Sequence, residues 1–216
     1  MRDIPVFTTD YGVASLILKE IPYKQQAFIH VQDVQPGQLE QLLDECVGFC
    51  RAAGAEIIFA AGHPELERYP LHTIIYGMSR PASVQKQGLP RGCLWPVTEQ
   101  TVGKWRSIYN ERMRTVDNAA TLTAFDEAHI LRTGGAYFVH EDGALWGIGW
   151  INGAEILAIA SVEQGKGMDT LEALMNIAQV DRFFLQVAST NQRAIRLYES
   201  AGFLKTTEHN RWYRVK

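Results

Sequence analysis

Gly165 and Gly167 stand between an apolar run, Ile159 to Val162, and a helix-patterned stretch that opens at Met168-Asp169-Thr170-Leu171. A strand that passes through glycines directly into a helix leaves several backbone N–H groups unpaired and converging, with the positive end of the helix dipole behind them. The chemistry offered by such a turn is anion binding, above all of a phosphate. A plain tight strand-to-helix connection satisfies the same short glycine pattern. A second stretch downstream, Asn191 to Phe203, bears on which of the two it is.

The elements that hold this turn can be read from periodicity. Trp95 to Thr98 reads as a strand, and a helix follows with Val102, Trp105, Ile108, Tyr109 and Met113 as its apolar stripe. A polar break at Arg114 to Ala120 precedes a second helix, Leu122 to Leu131, which ends near Gly134-Gly135. Strands at Tyr137 to His140, Leu145 to Ile151 and Glu155 to Val162 form an antiparallel meander, the last two joined at Asn152-Gly153. Beyond the glycine turn a helix runs to Gln179 and a strand spans Arg182 to Val187. Asn191 then caps a helix stopped by Gly202. Phe203 to Thr207 and Arg211 to Val215 close as strands around Glu208-His209-Asn210.

Upstream, Val6 to Thr9 and Val13 to Ile21 read as a hairpin turned at Asp10-Tyr11-Gly12, and Ala27 to Val34 as a third strand. An amphipathic helix over Gln38 to Ala53 follows, with Gly54 as its stop. Strands at Glu56 to Ala60 and Leu71 to Met78 flank an irregular connection, Gly62 to Pro70. Pro81, Gly88, Pro90 and Gly92 mark a linker, so the expected boundaries are 1–80 for a first domain, 81–94 for the linker and 95–216 for a second domain.

The two portions resemble each other. Ala27 to Gln32, with the glycine and helix after it, parallels Leu157 to Val162 and its helix. The first portion lacks the two early helices, and Gln35-Pro36-Gly37 stands where the second has Gln164-Gly165-Lys166-Gly167. Proline removes one of the donors that an anion cradle needs. Only the second portion is therefore expected to hold a phosphate.

The 216 residues are 46% apolar and 21% charged with a net charge of −3, enough to bury a real core and without a global basic field to recruit nucleic acid or membrane. The N-terminus lacks the apolar core of a signal peptide, and no stretch reaches the ~20 apolar residues of a membrane span. A cytoplasmic location is expected. Cys46 and Cys50 sit four apart on one helix face and Cys93 is alone, with no His at metal spacing, so core thiols and no metal site are expected.

Residues 95 to 216 resemble the GCN5-related N-acetyltransferase (GNAT) superfamily in element order and in two motifs. Gln164-Gly165-Lys166-Gly167-Met168-Asp169 is similar to the family's acetyl-CoA signature of Gln or Arg, two residues, Gly, one residue, then Gly or Ala. Asn191-Gln192-Arg193-Ala194-Ile195-Arg196-Leu197-Tyr198-Glu199-Ser200-Ala201-Gly202-Phe203 resembles the family's Asn…Ala…LeuTyrGlu…GlyPhe segment. The resemblance implies an α+β fold, with a mixed, mostly antiparallel sheet flanked by helices and a shortened GNAT-like half before it.

It further implies an acetyl-CoA-dependent N-acetyltransferase that transfers an acetyl group to a primary amine by direct attack. Acetyl-CoA would be the co-substrate, its pyrophosphate held by backbone amides from Gln164, Gly165, Lys166, Gly167, Met168, Asp169 and Thr170. Its pantetheine arm would lie along Ile159, Ala160, Ser161 and Val162, where that strand splays from Phe184 to Ala188, and against Asn191, which also fits a plain helix cap. Tyr198 matches the family's general acid, suited to protonating a departing thiolate. Glu155 is the candidate base. Glu163 points elsewhere, and His140, His129 and His209 are lesser candidates.

The Arg112, Arg114, Asp117 and Asn118 loop matches the place where such enzymes recognise acceptors, so the partner is a small-molecule or peptide amine, and the oligomeric state is monomer or homodimer. One departure stands out: Asp169 occupies the family's Gly or Ala position. Close to a pyrophosphate, its charge would repel by about 1 kcal/mol or more. Turned outward it caps the helix and is harmless. Turned inward it makes a catalytically silent GNAT-fold module that binds a ligand or partner.

Overall fold

The computed structural model describes residues 5–84 and 92–216. In chain order the strands and helices are β1 (Val6–Thr9), β2 (Gly12–Ile17), α1 (Ile21–Lys24), β3 (Gln26–Val34), α2 (Leu39–Ala52), β4 (Ile57–Ala61), β5 (Leu71–Pro81) and β6 (Cys93–Pro96). They continue with α3 (Val102–Met113), α4 (Ala124–Thr133), β7 (Ala136–Glu141), β8 (Ala144–Asn152), β9 (Glu155–Ser161), α5 (Gly167–Asn176), β10 (Arg182–Ala188), α6 (Gln192–Ser200) and β11 (Leu204–Arg214). The architecture is α+β, with mixed, mostly antiparallel sheet flanked by helices. Among the described residues no helix is long and apolar enough to cross a membrane.

The chain forms two units, Met1–Ile75 with Glu208–Lys216, and Tyr76–Thr207. The first boundary lies close to the expected 80. The last nine residues, expected in the second domain, belong to the first. Residues 85–91, the middle of the expected linker, lie outside the described residues, as do residues 1–4.

In the first unit β1, β2 and β3 form an antiparallel meander, β4 lies parallel to β3, and the end of β11 runs antiparallel to β4. Leu39, Leu42, Leu43, Cys46 and Cys50 of α2 face inward, and with Leu16, Ile29 and Ile58 they form its core. The α2 stripe buries as its spacing predicts. In the second unit β6, β7, β8 and β9 form an antiparallel meander. β10 is parallel to β9, and β5 lies next to β10. Helices α5 and α6 cover one face with Leu171, Leu174, Ile195 and Tyr198. Helices α3 and α4 supply Val102, Trp105 and Ile130 to the other. The first unit's sheet is thus completed by a strand from the far end of the sequence.

The hairpin expected around Glu208-His209-Asn210 does not form. β11 runs unbroken through these residues because its far end pairs Tyr213 with Ala60 and Arg214 with Phe59. Tertiary pairing overrides the local turn signal. β2 ends at Ile17, short of the expected Ile21, and the chain then turns into α1. Cys46 and Cys50 are buried as expected, but Cys93, on β6, is exposed.

Candidate active site

Two glycines on β8 seat the helix that carries the turn. A Cβ on Gly147 would lie 2.8 Å from Thr170 Oγ1, and one on Gly149 would lie 2.0 Å from Leu174 Cδ1, so α5 approaches β8 more closely than any side chain would allow. Thr170 is fully buried there and its hydroxyl donates to the Lys166 carbonyl at 2.6 Å. At the strand end, the Val162 and Glu163 N–H groups both donate to the Trp146 carbonyl, at 2.8 and 3.1 Å, and the ladder stops. The Ser161 hydroxyl donates to the Glu163 carbonyl. Gly165 then turns the chain at φ 85°, a left-handed conformation that favours glycine.

Two of the expected cradle amides are used within the turn: Lys166 N–H donates to the Glu163 carbonyl at 3.3 Å, and Thr170 N–H to the Lys166 carbonyl at 2.9 Å. Among the described residues, the N–H groups of Gln164, Gly165, Gly167, Met168 and Asp169 have no backbone acceptor. The first four of these residues line a cleft of about 1040 Å³. Asp169 does not line it. Its carboxylate turns to Lys166 Nζ at 3.4 Å, and that ammonium also sits 3.8 Å from the centre of the Trp146 ring. The expected helix cap by Asp169 is absent, since α5 has no side-chain cap. An ion pair with Lys166 takes its place.

A β-bulge precedes the part of β9 that lines the cleft. Trp150 pairs with Ala158 while Ile151 pairs with Ile156, so Leu157 is an extra residue on β9. β9 and β10 pair at Glu155–Phe184 and Ile156–Leu185, and among the described residues the ladder ends there. The strands part at the bulge, so of the expected Phe184 to Ala188, Phe184 and Leu185 remain paired with β9. Val162 N–H points to β8, so by alternation Ala160 and Ala158 do too, while the main-chain groups of Ser161 and Ile159 face the gap. Val162, expected to serve the pantetheine arm, has its N–H on Trp146 and its carbonyl accepting from Arg112 at 3.0 Å.

From α6, Tyr198 lines the cleft with 7% of its surface exposed, and burial pushes its phenol above the ordinary range. Asn191 also lines the cleft. Its side-chain oxygen accepts from the Ala194 N–H at 3.1 Å, the plain cap, with its amide nitrogen left over. Glu155 opens β9 beside Phe184, exposed and two residues before the bulge, and is not in the cleft wall. Of the proposed acceptor loop, Arg112 and Asp117 line the cleft. Arg114 and Asn118 are not in its wall, and Asn118 has a left-handed φ of 59°. Glu163 is in the wall as well. His140 stacks near Trp95, His129 lies near Trp150, and His209 is on β11, all outside the cleft.

Arg193 and Arg196 are in the cleft wall and sit within the second motif, but their types did not mark them as cleft residues. The alternation Gly147-Ile148-Gly149 was the one available signal, since glycines inside a strand point to close backbone approach.

No protein-family model and no curated protein sequence matches the chain. Solved structures do. A GCN5-related N-acetyltransferase from Anabaena variabilis superposes with a TM-score of 0.63 at 11% identity, over 94% of this chain and 58% of that one. Another from Sphaerobacter thermophilus gives 0.55 at 13% identity, over 94% and 75%. A tandem GNAT protein from the clavulanic acid biosynthesis pathway gives 0.51 at 15%, over 94% and 78%. The chain has the GNAT fold. At such identities the likeness is one of fold, and a protein of unknown function from Staphylococcus epidermidis shares it at a TM-score of 0.60 and 10% identity, over 99% and 94%. In GNAT-fold terms, the glycine turn and the splayed strands β9 and β10 belong to the second unit, where the two sequence motifs lie.

Proposed function

We propose that the second unit is an acetyl-CoA-dependent N-acetyltransferase acting on a primary amine. The observation that carries this reading is the run of free amides at Gln164, Gly165, Gly167 and Met168, set in one cleft with Ile159, Ala160 and Ser161, the part of β9 beyond the bulge. Amides at a helix N-terminus suit a pyrophosphate. Ser161 and Ile159 main-chain groups facing the gap suit the amides of a pantetheine arm, with the Asn191 side-chain nitrogen beside them.

Acetyl-CoA supplies an acyl thioester: the amine nitrogen bonds to the carbonyl carbon, the C–S bond breaks, and coenzyme A leaves as the thiol. Glu155, directly or through water, takes the proton that an ammonium must lose before it can attack. Tyr198, kept protonated by burial, hands its proton to the departing sulfur and regains one from solvent. Backbone N–H groups fix the anionic end, so the thioester is positioned before the acceptor arrives.

The silent-module reading rests on an intruding Asp169, and the Lys166 pairing at 3.4 Å favours the enzyme instead. The first unit we read as a shortened copy without a cofactor site. Its parallel strands β3 and β4 stay paired over five positions, from Gln26–Ile57 to His30–Ala61, and leave no comparable gap. Isothermal titration with acetyl-CoA tests the proposal. One site per chain is expected; no heat and no thermal shift at millimolar ligand refutes it.

A further inference from the structure

Which amine the site accepts follows from the side on which the splay is open. One face of β9 and β10 is sealed: Ile156, Phe183, Leu185 and Val187 pack under α5 and α6 together with Tyr198. On the other face the alternation along β10 leaves Phe184 exposed, and Glu155 is its register neighbour on β9. Leu157, the bulged residue, is exposed as well. Leu157 keeps 40% of its surface in water and Phe184 47%, although α3 and α4 cover Ala158 and Ala160 just beyond.

Glu155 and Phe184 are paired where β9 and β10 close, and Leu157 follows two residues after Glu155. A ligand gripped by the glycine turn and laid toward the bulge ends there, because the ladder resumes at Ile156–Leu185. An acceptor reaches that end only from the open face. What it meets is a carboxylate beside two apolar side chains still half in water, and a single ligand satisfies both: a cation carried on an apolar body.

We infer that the acceptor is a primary amine on an apolar aliphatic or aromatic body, docked against Leu157 and Phe184 with its nitrogen at Glu155. The inference rests on the acetyltransferase reading above. Glu155 attracts the ammonium and the apolar pair takes the body, which orients the nitrogen toward the gap. Strongly polar amines gain only the first of these contacts.

The test uses the full chain with acetyl-CoA and two primary amines, 2-phenylethylamine and ethanolamine, with the acetylated products measured by mass spectrometry. The expected result is a kcat/KM about tenfold or more in favour of 2-phenylethylamine. In Phe184→Ser that preference shrinks several-fold, while acetyl-CoA affinity by calorimetry stays at the parent value. Phe184→Lys, which sets a cation beside the ammonium, lowers both amines, again with acetyl-CoA affinity unchanged. Phe184 is exposed, so thermal melting of both variants stays near the parent. A protein that binds acetyl-CoA yet acetylates ethanolamine as well as 2-phenylethylamine overturns the inference alone, as does a preference that survives Phe184→Ser. Failure to bind acetyl-CoA overturns the acetyltransferase reading and this inference with it.

Discussion

Gly149→Ala tests whether the close seat of α5 on β8 builds the site. The new Cβ would lie 2.0 Å from Leu174 Cδ1 and 2.8 Å from both Cδ2 and Cγ, well inside the 3.4–4 Å of ordinary contact. Leu174 is fully buried among Leu171, Met175 and Phe183, so it has little room to rotate away. Either the leucine leaves its rotamer or α5 lifts from the sheet. Overpacking of this kind costs about 1–3 kcal/mol, and an overlap this deep belongs at the upper end. The lift would also move the first turn of α5, where Gly167 and Met168 present their amides. Loss of one charge-assisted hydrogen bond at about 1.4 kcal/mol weakens acetyl-CoA binding about tenfold.

Urea denaturation followed by tryptophan fluorescence gives the stability and calorimetry gives the affinity. A double-mutant cycle isolates the cause. Leu174→Ala alone removes buried methyls at a cost of about 3–5 kcal/mol. In that background Gly149→Ala should be nearly free, with a coupling of about 3 kcal/mol. If Gly149→Ala is as stable as the parent, or if the two losses simply add, the close-approach argument is wrong.

Further outcomes follow from the same geometry. Tyr198→Phe should lower kcat on the order of 10²-fold with acetyl-CoA affinity intact, and the parent's activity should show no loss to phenol ionisation below about pH 10, because burial holds the proton. Lys166→Ala should weaken acetyl-CoA several-fold by stranding the Asp169 charge near the free amides, and adding Asp169→Ala should restore it, both read by titration. Of three thiols, only Cys93 should react with a water-soluble disulfide reagent in the native protein. Burial lifts Cys46 from 9.0 to about 12 and Cys50 to about 11. Their native values lie above the unfolded ones, so the stability they contribute is complete below pH 9. Above it the unfolded thiols ionise first, and stability falls by about 1.4 kcal/mol per pH unit for each thiol, measurable by urea titration at pH 8 and pH 10.

The fold of the second unit was legible because its periodic segments are long and its two motifs sit on a strand-turn-helix and a capped helix. Asn191 caps α6 and Gly202 ends it with a φ of 88°, as their residue types predict. Features that depend on partners distant in sequence were not legible. The turn at Glu208-His209-Asn210 has turn-favouring residues, and the distant pairing with β4 straightens it. The bulge at Leu157 has no local signature, since an extra residue shows only against the strand beside it. At the site, residue types announced the amides of Gly165 and Gly167 but not which neighbours were already engaged. Lys166 and Thr170 bond within the turn, and Val162 is taken by Trp146 and Arg112. Asp169 was readable only as two opposed possibilities, because its orientation depends on where Lys166 and Trp146 go.

The placement of Glu208–Lys216 in the first unit has a consequence for biosynthesis. While the ribosome is still translating the second unit, β4 has no neighbour at the position where Tyr213 and Arg214 will pair, and the core around Leu16 and Ile58 is missing Tyr213. The half translated first is therefore among the last to be finished. Until those residues emerge it exposes an open strand edge, the kind of surface that chaperones shield and that a neighbouring nascent chain can invade.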